Sequence, residues 1–233
     1  MPLALAAAGA LCAALIGFGC FKAVRLISQI KVYKEGTKAV NVTTPPDFLA
    51  MQGGLLGCGA ALGRPLTFFR INDEVMGGKS VSSLAVSGGG LVFAGEINTN
   101  GGGFCSCRTL GDDGPLGLPA EVTALLIDAT GDGKRHKLTL HTADSWAMSV
   151  PTWAADFVPV AGRRATHRLP LSTFVPTIRG RVVKGISLDP TAVTGLGFSL
   201  SLYSADGEPN PQFGPGPFSL QAHGVRVEVG NSM

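Results

Sequence analysis

The chain has 233 residues, 45% of them hydrophobic, 15% charged and 33 of them glycine. That composition excludes a disordered chain and points to short strands separated by many turns. Lys22, Arg25, Lys31 and Lys34 against Glu35 account for the whole net charge of +3, leaving 15 residues of each sign from position 36 onward, so nothing resembles the basic footprint of a nucleic-acid binder.

From Leu3 to Phe21 no residue is charged. At 1.5 Å per residue this stretch reaches about 28 Å, close to the roughly 30 Å of bilayer hydrocarbon, and it is expected to form one transmembrane helix. Charges follow the apolar run rather than precede it, which favours an uncleaved anchor over a removed secretory signal. Gly9, Ala13 and Gly17 recur every four residues and would form a smooth stripe for close approach of a second membrane helix. The basic flank, Lys22 to Lys34, is expected on the positive-inside face, with the globular part following on that side. An organelle address is expected within the span and this flank, or in a segment already removed.

Residues 36–64 carry Pro45-Pro46 and the glycines of GGLLGCGAALG without a sustained period, and are read as a connector or an extended strap. Beyond them short alternating runs dominate. In Arg135–Thr142, His136, Leu138 and Leu140 share one face while Lys137, Thr139 and His141 take the other. In Gly195–Tyr203, Leu196, Phe198, Leu200 and Leu202 alternate with small or polar residues. In Pro217–Val229 the apolar set changes parity between Ala222 and Val225, which predicts a β-bulge at His223-Gly224. Many short strands without a βα unit indicate a mostly β fold, an antiparallel β-sandwich of jelly-roll type, with residues 65–233 as one domain.

Several motifs are set aside. Gly78-Lys79-Ser80 lacks the glycine that a phosphate loop needs five residues earlier, where Asp73 stands, and Gly101 to Gly103 open no helix. Cys12, Cys20, Cys58, Cys105 and Cys107 have neither zinc nor disulfide-framework spacing, and the four histidines suggest no metal. A sequon at Asn41 would matter only in a lumenal domain. Ser145, His141 and Asp144, or Asp128 and Asp132, are close in sequence but belong to no catalytic motif. Neither catalytic residues nor cofactors are expected.

The most specific part of the chain is Ile71 to Ser80 (INDEVMGGKS), followed by Gly90 to Glu96 and by Asn100 to Arg108 (NGGGFCSCR). This series resembles the family of complex I intermediate-associated proteins, with its N-D-x-V-M-G-G-x-S segment, then F-x-G, then N-G-G-F-x-S-x-R. Gly131 to Leu138, Ala155 to Phe157, Leu169 to Phe174, Arg179 to Arg181, Gly195 to Phe198 and Gly216 to Leu220 continue the resemblance in order, so that it covers about residues 66–229.

The resemblance implies a galactose-binding-like sandwich and a non-catalytic role as assembly factor or accessory subunit of mitochondrial respiratory complex I. Its partners would be complex I subunits, through membrane-arm helices at the inner membrane, with the sandwich in the matrix; no nucleic acid or small-molecule substrate is expected. It marks Asn72, Asp73, Met76, Gly77, Gly78, Ser80, Gly102, Gly103, Phe104, Ser106 and Arg108 as motif residues. Two readings of them stand side by side: Asn72, Asp73 and Arg108 contact a partner or ligand at one rim, or they hold loops in shape, with Phe104 entering the core and Arg108 pairing with Asp73. His136 stands in place of the family's usual aromatic, Asp206 to Gly216 looks like an inserted loop, and the anchor is outside the common pattern. The alternatives are a carbohydrate- or small-ligand-binding module, favoured by exposed aromatics at loop ends, and an assembly factor of a photosynthetic membrane complex.

Overall fold

The structure, a computed structural model, describes residues 41–51, 63–109, 111, 114–142, 150–178 and 181–230. The expected membrane span and its Gly9, Ala13, Gly17 stripe lie outside the described residues, and among those residues no helix is long and apolar enough to cross a membrane.

Among the described residues fourteen strands follow in chain order: β1 (Val42–Thr43), β2 (Leu49–Met51), β3 (Thr67–Asn72), β4 (Val81–Ser87), β5 (Gly90–Ile97), β6 (Phe104–Thr109) and β7 (Val122–Gly131). The second half of the series is β8 (His136–Thr142), β9 (Thr152–Phe157), β10 (Ala165–Pro170), β11 (Val175–Ile178), β12 (Arg181–Val182), β13 (Val193–Ser201) and β14 (Gly216–Val229). They form two facing sheets, one ordered β1-β3-β6-β13-β8-β9-β11-β12 and the other β10-β7-β14-β5-β4, with β2 added against β14. Every pairing is antiparallel except β2 with β14, so the fold is the mostly antiparallel β-sandwich that the strand pattern predicts.

The alternating runs supply the core. Leu138 and Leu140 from β8, Leu196, Phe198 and Leu200 from β13, and Phe218, Leu220 and Ala222 from β14 are all buried between the sheets. His136 joins them, fully buried, with its ring 6.2 Å from that of Phe157 and 6.3 Å from that of Phe218, and so fills an aromatic position. Leu202 departs from the expectation: β13 ends at Ser201, and Leu202 stands 44% exposed just beyond it.

The predicted bulge is present. The register of β14 on β7 shifts between Ala222 and Gly224, and Val225 and Val227 are thereby returned to the core face. The bulge also divides the strand between partners: β14 pairs with β5 up to Ala222 and with β2 from Val225.

That second pairing changes the reading of the connector. Part of the stretch without any evident period is built into the sandwich, with β1 pairing β3 in one sheet and β2 pairing β14 in the other. Phe48, between them, is fully buried edge-on to Phe68 at 5.8 Å, so residues 42–51 clasp both sheets. Periodicity could not reveal this, because two- and three-residue strands are too short to show an alternation.

If the clasp is part of the core, Phe48→Ala should cost about 3–5 kcal/mol, as truncation of a central core phenylalanine does, and this can be read by urea unfolding. A loss under about 0.5 kcal/mol would return the segment to the status of a loose tether.

Candidate functional site

The motif series divides between two neighbouring places. The first is a lock around one buried carboxylate. After β3 the chain makes a 3₁₀ turn, Asp73–Met76, and leaves it through Gly77 at φ 89°, a left-handed conformation that favours glycine. Asp73 is 1% exposed; its Oδ1 accepts the Ser80 N–H at 2.9 Å and its Oδ2 accepts the Ser80 hydroxyl at 2.7 Å. The Ser80 oxygen in turn accepts the Asn98 N–H at 3.0 Å, tying in the loop that leads to β6. Asn72, fully buried, accepts the Ser82 hydroxyl at 2.6 Å.

Gly78 and Gly102 complete the lock by being small. A Cβ at either position would overlap the Asp73 carboxyl group, so both glycines are required by close approach to one side chain. Gly103 differs: a Cβ there would make ordinary contacts with Leu202 and Phe213. Thus Asn72, Asp73, Gly77, Gly78, Ser80 and Gly102 hold three loops in shape. The Met76 backbone belongs to the turn, and its side chain lies outside the described residues.

The second place is a cleft of about 590 Å³ on the outer face of the eight-stranded sheet. Phe104, Ser106 and Arg108 alternate along β6 with the buried Cys105, Cys107 and Thr109, so these three motif residues face the cleft. Phe104 therefore does not enter the core: it shares a face with Arg108, and the core positions belong to the cysteines. The Asp73 carboxylate accepts from Ser80, while the Arg108 guanidinium carbon lies 5.9 Å from the centroid of the Phe69 ring. Ser106 donates its hydroxyl to Ile71 O at 2.8 Å.

Across the cleft floor Gly197 of β13 sits in register with Arg108 on one side and Thr139 on the other, and Ser199 with Ser106 and Lys137. Lys137 donates to Tyr203 O at 2.8 Å. Burial lowers its pKa, while Asp156 and Asp206 nearby oppose that shift. Burial raises the pKa of Asp156, against the N–H of Ala205, which its Oδ2 accepts at 2.9 Å. His141, 7% exposed, is held well below its ordinary pKa by burial and then by Arg108, so it is neutral, with Nε2 3.1 Å from the Thr139 hydroxyl. The loop after β13 forms one wall, pinned by Asn210, whose amide donates to Arg135 O at 2.9 Å and Ser201 O at 3.1 Å.

The motif marked one strand of this cleft and missed the others. Lys137, Thr139 and His141, and Ser199 with Ser201, were legible as the polar parity of their runs; only sheet order sets them beside β6. Asp128 and Asp132 do not act together, the first pairing with Arg164 and the second with His136. Ser145 and Asp144 lie outside the described residues, as does Trp146, while Trp153 is 5% exposed. Among the described residues no three potential ligands gather around a metal position. Cys105 and Cys107 are pushed up to about 12, chiefly by burial, and are inert thiols.

A half-buried carboxyl links the turn between β7 and β8 to β14. Asp132 accepts the N–H groups of Lys134 and Ser219, each at 2.9 Å, and meets His136 Nε2 at 3.4 Å. Burial works against its charged form, yet the bonds from His136, Lys134 and Ser219 prevail and hold it at about 2.

Fold and cleft together define a mostly antiparallel two-sheet β-sandwich with a cleft on the outer face of one sheet. The chain belongs to the family described as complex I intermediate-associated protein 30 (CIA30), which matches residues 65–222. No curated protein sequence matches the chain. Among solved structures it is similar to the family 11 carbohydrate-binding module of the cellulosomal cellulase Lic26A-Cel5E of Clostridium thermocellum, at 14% identity over 81% of this chain and 95% of that one, with a TM-score of 0.45. The family 11 module of the same organism in complex with a β-1,3-1,4-mixed-linked tetrasaccharide is similar at 14% identity, 82% and 98% coverage and a TM-score of 0.44. An exo-β-agarase follows at 10% identity, 71% and 23% coverage and a TM-score of 0.43.

Two outcomes are expected. Gly102→Ala should displace the Asp73 carboxylate and cost about 1–3 kcal/mol, whereas Gly103→Ala should cost under about 1 kcal/mol, in matched urea unfolding curves. Because the folded pKa of Asp132 lies below its usual 3.8, its contribution is present above about pH 4 and lost as pH falls towards about 2. Asp132→Asn should therefore remove roughly 2 kcal/mol at neutral pH and flatten the loss of stability across that acid window.

Proposed function

We propose that the protein is a non-catalytic assembly factor or resident accessory subunit of mitochondrial respiratory complex I. The observation that carries this reading is the family match over residues 65–222, a range that includes the whole Asp73 lock and strands of both sheets. In this reading residues 3–21 anchor the chain in the inner membrane, and the Gly9, Ala13 and Gly17 stripe packs on a membrane-arm helix. The basic flank from Lys22 to Lys34 stays on the matrix side together with the sandwich. In this reading the half-buried Phe104, Ser106 and Arg108 meet a partner, a role supported by the burial of Asn72, Asp73 and Ser80.

Native gel separation of mildly solubilised mitochondrial membranes tests the proposal, with the chain located by immunoblot beside in-gel NADH dehydrogenase activity. Comigration with the active complex is the expected result for a resident subunit, and signal confined to smaller inactive assemblies is expected for an assembly factor. Absence from both would end the complex I reading, and protease digestion of the sandwich in intact mitoplast exteriors would end the matrix orientation.

A further inference from the structure

The cleft has a chemistry of its own that the complex I reading does not use. Its floor carries the short side chains of Ser106, Thr139, Ser199 and Ser201 between the longer Arg108 and Lys137, so a ligand can approach the strands closely at the serines and the threonine. A volume of about 590 Å³ is in the range of small-ligand sites.

Hydrogen-bonding capacity sorts the possible ligands. The hydroxyls of Ser106 and Ser201 donate to main-chain oxygens, those of Ile71 and Tyr203, at 2.8 and 2.9 Å. A hydroxyl that has given its hydrogen to a carbonyl has only lone pairs left to offer, so these two serines accept from a ligand. Lys137 spends one N–H on Tyr203 O and retains two more. At the same end of the cleft, Phe104 lies in register with Ser201, and Leu202 and Tyr203 follow at 44% and 52% exposure. The site therefore combines acceptors, donors and an apolar platform.

An anion beside Ser106 and Ser201 would meet their lone pairs, and the charge of Lys137 is opposed by Asp156 and Asp206; Arg108, which also lines the cleft, stands two residues beyond Ser106 along β6. An extended peptide lying on the face would direct its N–H and C=O groups sideways in the plane of its own backbone rather than down to the floor. A pyranose chain fits the remaining description: its hydroxyls both donate and accept, and its axial C–H face stacks on an aromatic ring.

The geometry points to the outer face of β6, β13 and β8 as a binding site for a neutral linear oligosaccharide, with Ser106, Ser201 and Lys137 as hydrogen-bonding groups and Tyr203 as the stacking platform. This inference is independent of the complex I proposal.

Calorimetric titration of the full chain, in a detergent without a sugar headgroup, tests it with cellohexaose, mannohexaose and maltohexaose, and with hexaglutamate as the anionic peptide probe. At least one hexasaccharide should bind with a micromolar to submillimolar Kd. Tyr203→Ala should weaken that binding about tenfold with the far-ultraviolet circular dichroism unchanged, since the ring is half exposed. Lys137→Gln should weaken it in the same direction, both by removing a donor to the ligand and by releasing the Tyr203 carbonyl. Absence of binding by all three sugars at millimolar concentration would overturn the proposal, as would unaltered affinity in both variants. Binding of hexaglutamate alone would overturn it in favour of an acidic peptide.

Discussion

A single carboxylate, that of Asp73, is the constraint around which the motif-bearing end of the molecule is arranged. Taking an aspartate out of water is unfavourable unless its oxygens are met by donors, and here Ser80 meets both, from its N–H and its hydroxyl. Those bonds require the chain to double back within seven residues, which the 3₁₀ turn and Gly77 accomplish; Gly78 within that return and Gly102 from a second segment then come too close to the carboxyl group to carry a side chain. The start of β6 is thereby set against β3, and with it the face on which Phe104, Ser106 and Arg108 stand.

The same economy of means governs the far sheet. One long strand, β14, pairs β7 along one side and β5 then β2 along the other; an extra residue at its centre corrects the parity of its side chains, and the segment that takes the second half is a clasp held by Phe48.

Motif and cleft play different parts in function. The enclosed residues of the motif preserve the shape of the loops, while the exposed ones share a cleft with residues from strands that no local motif marks. Family membership and the proposed sugar site therefore rest on different residues: one on residues 65–222, the other on the cleft hydroxyls and Tyr203.

Much of this was legible in the residues themselves. Period-two alternation identifies β8, β13 and β14 and their buried faces, and the parity change between Ala222 and Val225 locates the bulge, because a side chain's face in a strand follows from backbone geometry alone. The motif order identifies the family. Parity would also have kept Phe104 out of the core, since Arg108 shares its face. What the residues could not disclose is which strands neighbour one another. The clasp of residues 42–51, the packing of Gly78 and Gly102 on one carboxyl group, and the meeting of Arg108, Lys137, Ser199 and Tyr203 in a cleft depend on contacts between segments far apart in the chain, and only the tertiary structure, which sets sheet order and register, decides those.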